Sequence, residues 1–438
     1  MSSERPRWLA IIVMFTACLL SGCAATIMTV PCDTPKVSNF NVPFVYLVVL
    51  PYAYRDQAHS LAEPTDLGTA ATRTLNEVAT LEAVRMGAEA TDMHVTLLED
   101  TGGGCKIDTV YAALGDPRRR SSHNVYSTIV FFWGEVFDEE QSLVVQSHLR
   151  VLWKDNDRIR IRADVGEGAE RVHLEFVSEV PYQTLSFAPR HLATSSGAGD
   201  VPELRAKLVA WAVPSEDRVE DQRPLPRSFV FLQLKKSKRG DWAEVQDLNG
   251  GEAVWIPLRH ASAASILPEF SFANALADFV SFQTAPDRDA ASGVVRRLDE
   301  FRGGYGQSGK SAWNVKPDAA ADVLQGALQL AGGDMGDRRS AAKARQLLDR
   351  AQAALPDDAV VLTLSAMARV GDCCTTRDEA QRLGAMFEAA RQLDSANRLI
   401  ATNLTNWYKL AKRLAPGVRP DSDEEIARKL GDLENALR

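Results

Sequence analysis

The pattern of apolar and polar residues divides the chain into segments that predict different kinds of structure. Residues 44–50, FVYLVVL, form an almost unbroken apolar run, which predicts a central strand buried on both faces. Apolar residues recur at three-residue steps over residues 75–84, which predicts an amphipathic helix. Strict alternation in residues 158–162 and 172–176 predicts half-exposed strands. Residues 39–190 are therefore predicted to form an α/β sandwich module with a mixed sheet.

Two further modules follow along the chain. Residues 201–260 contain short strand patterns at 228–234, 240–248 and 252–258, with glycines at two of the breaks, which predicts a small β module. Residues 266–438 are rich in alanine and carry apolar residues at three- and four-residue steps, which predicts helices. Four predicted helices are Arg339–Ala354, Ala359–Val370, Arg377–Leu393 and Arg398–Leu414. The chain is thus predicted to be a multidomain α+β protein.

The first 22 residues carry the pattern of an export signal. Arg5 and Arg7 precede the stretch Trp8–Leu20, in which every residue except Thr16 is apolar. That stretch is shorter than the ~20 residues of a membrane span, but it suits the apolar core of a signal peptide. It ends in LSGC, residues 20–23, where small residues precede a cysteine.

This junction resembles the lipobox of bacterial lipoproteins. The resemblance implies that Cys23 receives a diacylglycerol, that residues 1–22 are removed, and that residues 23–38 tether the first module to a membrane. The resemblance also implies sorting to the outer membrane rather than retention at the inner one, because no Asp follows Cys23. The expected location is the cell envelope, facing the periplasm. The alternative is an ordinary secretory signal with a chance cysteine.

Each module also resembles a known family. The element order of the first module, with FFWGEV (residues 131–136) entering a hairpin, resembles the amino-terminal domain of TolB and related envelope proteins. RGDWAEVQDLNGGEAVWIPL, residues 239–258, resembles the bacterial SH3 family, which implies a small β-barrel. Its Trp242 and Trp255 are either core residues or, for Trp255, part of a peptide or glycan groove. ARQLLDRAQAALPDD and GAMFEAARQLDSAN resemble the second helices of tetratricopeptide repeats, which implies helical hairpins that dock a partner in a concave face.

Composition and cysteine usage narrow the classes of function. A net charge of −8 without a long basic run disfavours nucleic-acid binding, because such binding must neutralise phosphates. Cys32 and Cys105 belong in or near the first module, where an oxidising envelope permits a disulfide between them. Cys373 and Cys374 are adjacent, and since a vicinal disulfide is strained, two thiols are expected. A redox-sensitive regulator is the alternative use of this pair.

One motif suggests nucleotide binding, and its context argues against it. Gly304–Ser311, GYGQSGKS, satisfies the phosphate-loop pattern G-x-x-x-x-G-K-[ST]. A buried strand should precede that loop, but residues 294–301 predict an amphipathic helix, and Pro317 disfavours the helix that should follow. The stretch is predicted to be a flexible Gly/Ser linker, and no nucleotide is expected.

No catalytic or metal-binding constellation is visible in the sequence. The seven histidines are scattered, and neither H-E-x-x-H nor G-x-S-x-G occurs. The sequence therefore predicts no cofactor and no enzyme, but a lipid-anchored binding or scaffold protein for another envelope component, either a protein or peptidoglycan. The alternative is a cell-envelope hydrolase with a site in the α/β module.

Overall fold

A computed structural model gives the architecture of most of the chain. It describes residues 27–31, 45–55, eight positions between 68 and 82, 93–99, 128–139, 142–152, 158–165, 172–182, 184–192, 210–215, 217, 219–224, 229–235, 242–247, 251–257, 267–284, 286–307, 317–332, 338–371 and 373–437. Within these ranges, no helix combines the length and the apolar character that crossing a membrane requires.

The chain folds into two units, each assembled from two stretches of sequence. Unit 1 comprises Met1–Val145 and Leu192–Ala263, and unit 2 comprises Gln146–His191 and Ala264–Arg438. This division differs from the predicted modules. The predicted α/β module, residues 39–190, is thus divided between the two units, and residues 146–190 are grouped with the helices.

Unit 1 is built on a sheet of parallel strands. The strands lie side by side in the order β1 (Ile27–Pro31), β4 (Met93–Glu99), β2 (Val45–Val49) and β5 (Thr128–Glu139). The central strand β2 pairs in parallel with both β4 and β5, and its described side chains are all buried. A strand with a neighbour on each side and both faces covered must be apolar throughout, as predicted for this segment. The short β3 (Ala53–Tyr54) continues the pairing with β5.

The predicted tether, residues 23–38, contains a strand of this sheet. Strand β1 pairs in parallel with β4, from Ile27 opposite Val95 to Pro31 opposite Glu99. The tether is therefore interrupted by a structured segment, and only three residues separate Cys23 from the start of β1.

The second sheet of unit 1 is antiparallel and open. Its order is β12 (Gln222–Arg223), β11 (Ala210–Trp211), β15 (Val254–Pro257), β14 (Trp242–Asp247) and β13 (Phe229–Lys235). The last three strands confirm those predicted from the sequence. Among the described residues, β12 and β13 are the edges and do not pair with each other. The predicted SH3-like closed barrel is therefore not seen, because closure requires the two edge strands to pair.

The described part of unit 2 contains eight α-helices, which confirms that the C-terminal part of the chain is helical. They are α1 (Pro268–Thr284), α2 (Arg288–Gln307), α3 (Pro317–Gly332), α4 (Arg338–Ala354), α5 (Ala359–Val370), α6 (Arg377–Leu393), α7 (Arg398–Ala411) and α8 (Asp423–Leu437). Consecutive helices pack as four hairpins, α1–α2, α3–α4, α5–α6 and α7–α8, and each hairpin packs on the next. The four helices predicted with clear bounds are α4 to α7, and α7 ends three residues early.

Side-chain caps set the starts of three of these helices. The Asp358 carboxylate accepts hydrogen bonds from the first backbone N–H groups of α5, and the Asn397 side chain does the same for α7. Thr376 and Glu379 form a capping box at α6. Such caps satisfy N–H groups that have no partner inside a helix, so the sequence marks these starts locally.

The remaining described part of unit 2 consists of strands and short connections. It holds the end of β6 (Ser142–Leu152), then β7 (Arg158–Val165), β8 (Val172–Glu179), β9 (Thr184–Ser186) and β10 (Arg190–Leu192). Strands β7 and β8 pair antiparallel as a two-stranded ribbon. The ribbon packs against the first helices of three successive hairpins, α3, α5 and α7.

We predict that Gly384→Ala destabilises the protein by about 1–3 kcal/mol, as expected for overpacking. A Cβ at this position would lie 2.8 Å from Nε1 of Trp407, whose side chain is fully buried. The free energy of unfolding in urea measures the effect. The matched control is Gly431→Ala in α8, where nothing lies within 4 Å of the added Cβ. That variant should gain up to ~1 kcal/mol from helix propensity, and equal losses in both variants would contradict the prediction.

We predict that Glu379 stabilises the fold to an extent that depends on pH. Its carboxylate accepts hydrogen bonds from the Thr375 backbone N–H and hydroxyl at 2.8 and 3.0 Å and from the Thr376 N–H, and these bonds lower its pKa. A carboxyl group with a lowered pKa stabilises the fold above its unfolded pKa, and this contribution disappears as the pH falls through its folded value. The melting temperature of the wild type should exceed that of Glu379→Gln at neutral pH, with the gap closing below about pH 4. A gap that stays constant down to pH 3 would contradict this, and Glu424→Gln on α8 is the control.

Candidate functional site

An elongated cleft of about 970 Å³ runs along one face of α2. The ends of α1 and α3 and the first turn of α4 complete its walls. Its lining from α2 comprises Arg288, Ala291, Ser292, Val295, Arg296, Asp299 and Glu300. Positions 288 to 300 span 12 steps of a helix, so the cleft is about 18 Å long at 1.5 Å per residue.

The floor of the cleft is apolar and its rim carries both signs of charge. Phe282, Val295 and Leu328 supply the floor. On the rim, Arg296 lies 4.0 Å from Glu300 one helical turn away. A Cβ at Gly332 would lie 2.9 Å from the ring of Phe282, so the absence of a side chain there gives the ring its place in the floor.

A buried carboxylate ties together α2, α3 and α4, three of the four helices around the cleft. Asp322 on α3 is only 4% exposed. Arg302 on α2 donates to it at 2.9 Å, and Arg350 on α4 donates two hydrogen bonds at 2.8 Å. The bonds from Arg350 raise the pKa of that guanidinium. Asp322 also lines a smaller cavity of about 330 Å³, which opens between the opposite ends of the same helices.

A second face of the helical hairpins is filled by the chain itself. Asn403 on α7 accepts a hydrogen bond from the Val177 N–H at 2.8 Å and donates one to the Val177 carbonyl at 2.7 Å. Asn406 donates to the Glu175 carbonyl at 2.7 Å. The side-chain amide of Asn403 thus pairs with β8 as a neighbouring strand would.

Aromatic side chains and an ion pair extend this attachment along the array. The ring of Phe176 stacks on that of Phe387 with centroids 5.7 Å apart. The Tyr182 hydroxyl donates to the Ala320 carbonyl at 3.0 Å, and burial raises the pKa of that hydroxyl well above its usual value. Arg190 and Glu269 form a bidentate pair at 2.6 and 3.0 Å, with both side chains at most 5% exposed. This face is therefore occupied by the segment from β7 to β10.

The structure places the two predicted groove tryptophans on one face of the antiparallel sheet. Trp242 lies opposite Pro257, and Glu244 opposite Trp255, so the tryptophans are diagonal neighbours. Trp242 is buried, whereas Trp255 is half-buried, with Nζ of Lys235 5.9 Å from its ring centroid. The other predicted site residues, Cys23, Cys32 and Cys105, lie outside the described residues.

The nucleotide-like motif and the vicinal cysteines have structural positions of their own. Gly304 to Gln307 form the last turn of the 20-residue helix α2, so the predicted linker is wrong for these four positions; residues 308–311 lie outside the described ranges. A phosphate loop follows a strand, and here the motif follows a helix. Cys373 and Cys374 are joined by a disulfide in the turn between α5 and α6, where two thiols were expected.

The residues of the cleft and of the β8 attachment were not identified from the sequence. Val295 is one apolar residue in an amphipathic helix, and its pattern does not show which stretch of that helix remains uncovered. Asn403 carried a usable signal, because an Asn among the buried residues of α7 indicates a specific hydrogen-bond partner. No three His, Cys, Asp or Glu side chains of the described ranges lie close enough to hold a metal ion.

Comparison with known proteins returns no match: no family model, no curated protein and no solved structure is similar to this chain.

Proposed function

We propose that this chain is a lipid-anchored binding protein of the bacterial envelope, which holds a segment of another envelope protein in the cleft along α2. The observation that carries the proposal is the cleft itself. Its lining combines an apolar floor of Phe282, Val295 and Leu328 with charged walls, and on that floor Val295 is half-buried whereas Phe282 and Leu328 are buried. A concave site with an apolar floor and a few polar groups on its rim is typical of a binding pocket.

The shape of the cleft supports a helical occupant. About 18 Å accommodates three turns of an α-helix, whereas a compact metabolite would leave most of it empty. An amphipathic helix would place its apolar residues on the floor and its charged residues against Arg288, Arg296 and Asp299 on the walls. We therefore propose an amphipathic helix of another envelope protein as the occupant.

The anchor rests on the sequence of residues 1–23. The charged start, the short apolar stretch and the LSGC junction together support lipidation of Cys23. With β1 beginning at Ile27, the four steps from Cys23 span at most about 14 Å. A chain anchored there would hold unit 1 close to the membrane, which we propose to be the outer membrane on its periplasmic side.

The family resemblances are part of the proposal. Four packed helical hairpins support a relationship of residues 266–438 to tetratricopeptide repeats. The five-stranded sheet with neighbouring Trp242 and Trp255 supports an SH3-like ancestry for residues 201–260. The parallel sheet of unit 1 supports the TolB-like assignment. The hydrolase alternative would need a site in the α/β module, whereas both cavities described above lie in unit 2.

We expect the protein extracted from bacterial envelopes to lack residues 1–22 and to carry a lipid on Cys23. Intact-mass spectrometry of wild type and Cys23→Ala, with fractionation of each, tests the anchor. The variant should lack the lipid, because it has no thiol at position 23, and it should no longer be found in the outer-membrane fraction. A wild-type mass equal to that of the unmodified full chain, in the soluble fraction, would refute the anchor and leave the cleft untouched.

We expect a photo-crosslinker at Ser292 in the cleft to capture one envelope protein through a single amphipathic segment. A synthetic peptide of that segment should bind the mature protein, and Val295→Arg should weaken its affinity at least tenfold by placing a charge on the apolar floor. The matched control, Ala427→Arg, changes an exposed position of α8 and should leave the affinity unchanged. Equal effects of the two substitutions, or crosslinks spread over unrelated proteins, would count against the cleft as the binding site.

A further inference from the structure

The β7–β8 ribbon has one edge closed by helix α7. The hydrogen bonds of Asn403 to Val177 and of Asn406 to Glu175 come from the side of β8 that faces away from β7. The backbone N–H and C=O groups of Val177, and the carbonyl of Glu175, therefore point away from β7. In an antiparallel pair, directly opposite residues either exchange both backbone hydrogen bonds or exchange neither.

The register of the ribbon also shows which backbone groups of β7 point outward at the opposite edge. Arg160 lies opposite Val177, and Arg162 lies opposite Glu175. Since neither pair exchanges hydrogen bonds, the backbone groups of both arginines point away from β8. By the two-residue period of a strand, those of Arg158 do the same. Within the described part of the chain, β8 is the only strand that pairs with β7, so no strand covers this edge.

The two faces of β7 have opposite character. Ile159, Ile161 and Ala163 are at most 5% exposed and form the apolar underside of the strand. Arg160 and Arg162 are exposed on the outer face. An added strand would therefore meet arginine side chains at every second position and apolar side chains at the positions between them.

We propose that the outer edge of β7, residues 158–162, binds an extended segment of another protein as an added strand, and that this segment alternates acidic with apolar residues. The N–H and C=O groups of the three arginines supply the backbone hydrogen bonds, as in other cases of β-strand addition. The acidic residues of the incoming strand lie beside the arginines. Its apolar residues continue the underside of the ribbon.

Charge selects this occupant over a second copy of the chain. Two β7 edges brought together would set arginine against arginine, and like charges opposite each other destabilise a sheet. Charged residues on an open edge commonly prevent self-pairing in this way. An acidic strand meets no such barrier along residues 158–162. Across the ribbon the three arginines of this stretch face Glu175, 3.4 Å from Arg160, and Glu179, and Asp164 follows them on β7.

This inference depends on neither the lipid anchor nor the cleft along α2. The edge of β7 is a different element of unit 2, and it would bind an extended strand rather than a helix. The inference would therefore stand if both of those proposals failed.

The test uses the mature chain and a fluorescent octapeptide of alternating Glu and Val or Thr. Three control peptides accompany it: one with Lys for Glu, one of scrambled order, and one N-methylated at alternate residues so that it cannot donate to the β7 carbonyls. We expect saturable binding of the first peptide, weaker at high salt because charge contributes, and at least tenfold weaker binding of all three controls. Equal binding of the N-methylated peptide would overturn strand addition.

Two substitutions at position 160 separate the contribution of the backbone hydrogen bond to peptide binding from that of the charge. Arg160→Pro removes an N–H that points away from β8, so it removes a docking hydrogen bond without breaking the ribbon. It should weaken binding at least tenfold. Arg160→Gln keeps the N–H and should weaken binding only about two- to fivefold, the value of one cross-strand charge pair. Equal losses would show a purely electrostatic contact and overturn the proposal.

Hydrogen exchange locates the bound peptide even if Arg160→Pro fails to fold. The amides of Arg158, Arg160 and Arg162 should gain protection when the peptide binds, while those of Ile159 and Ile161 are already protected by β8. This alternating pattern is specific to an added strand. Protection confined to α2 or to unit 1 would refute the assignment of the edge.

Discussion

The backbone N–H and C=O groups on the outer edge of a strand need hydrogen-bond partners even where no neighbouring strand supplies them. In unit 2 the strand in this position is β8, whose outer edge meets helix α7. Asn403 and Asn406 supply these partners, and the amide of Asn403 repeats the donor and acceptor of a peptide group. A buried peptide group left unpaired costs about 1–3 kcal/mol. Because only one register of β8 places Val177 at Asn403, these two side chains fix the position of the ribbon on the hairpins.

Other contacts of unit 2 follow from that register. With Val177 held at α7, the preceding residue Phe176 turns to the other face of the strand and stacks on Phe387. Further along, the chain inserts Tyr182 between the helices and ends in the buried pair of Arg190 and Glu269. Removing one partner of such a pair strongly destabilises the fold, because it leaves an unpaired charge in the interior. The extended segment is therefore a structural part of the helical array.

This occupancy limits where a partner can bind. The face formed by α3, α5 and α7 already holds the ribbon, so the hypothesis of a partner on the helices moves to the cleft along α2. The arginines Arg302 and Arg350 converge on Asp322 and join α2 and α4 to α3, three of the helices that line that cleft. The two surfaces proposed for binding differ in kind, since one is an apolar groove and the other a row of backbone hydrogen-bonding groups.

The sequence by itself determined the local elements. The unbroken apolar run of β2, the alternation in β7 and β8, and the caps of α5 and α6 all depend on neighbouring residues, and their bounds were predicted closely. The tertiary structure decided which elements pack together. It placed Ile27–Pro31 in a sheet and joined residues 146–191 to the helices. Periodicity shows which side of an element is buried but does not name the surface that covers it. The covering contacts are distant in sequence, as between Asn403 and Val177, 226 residues apart.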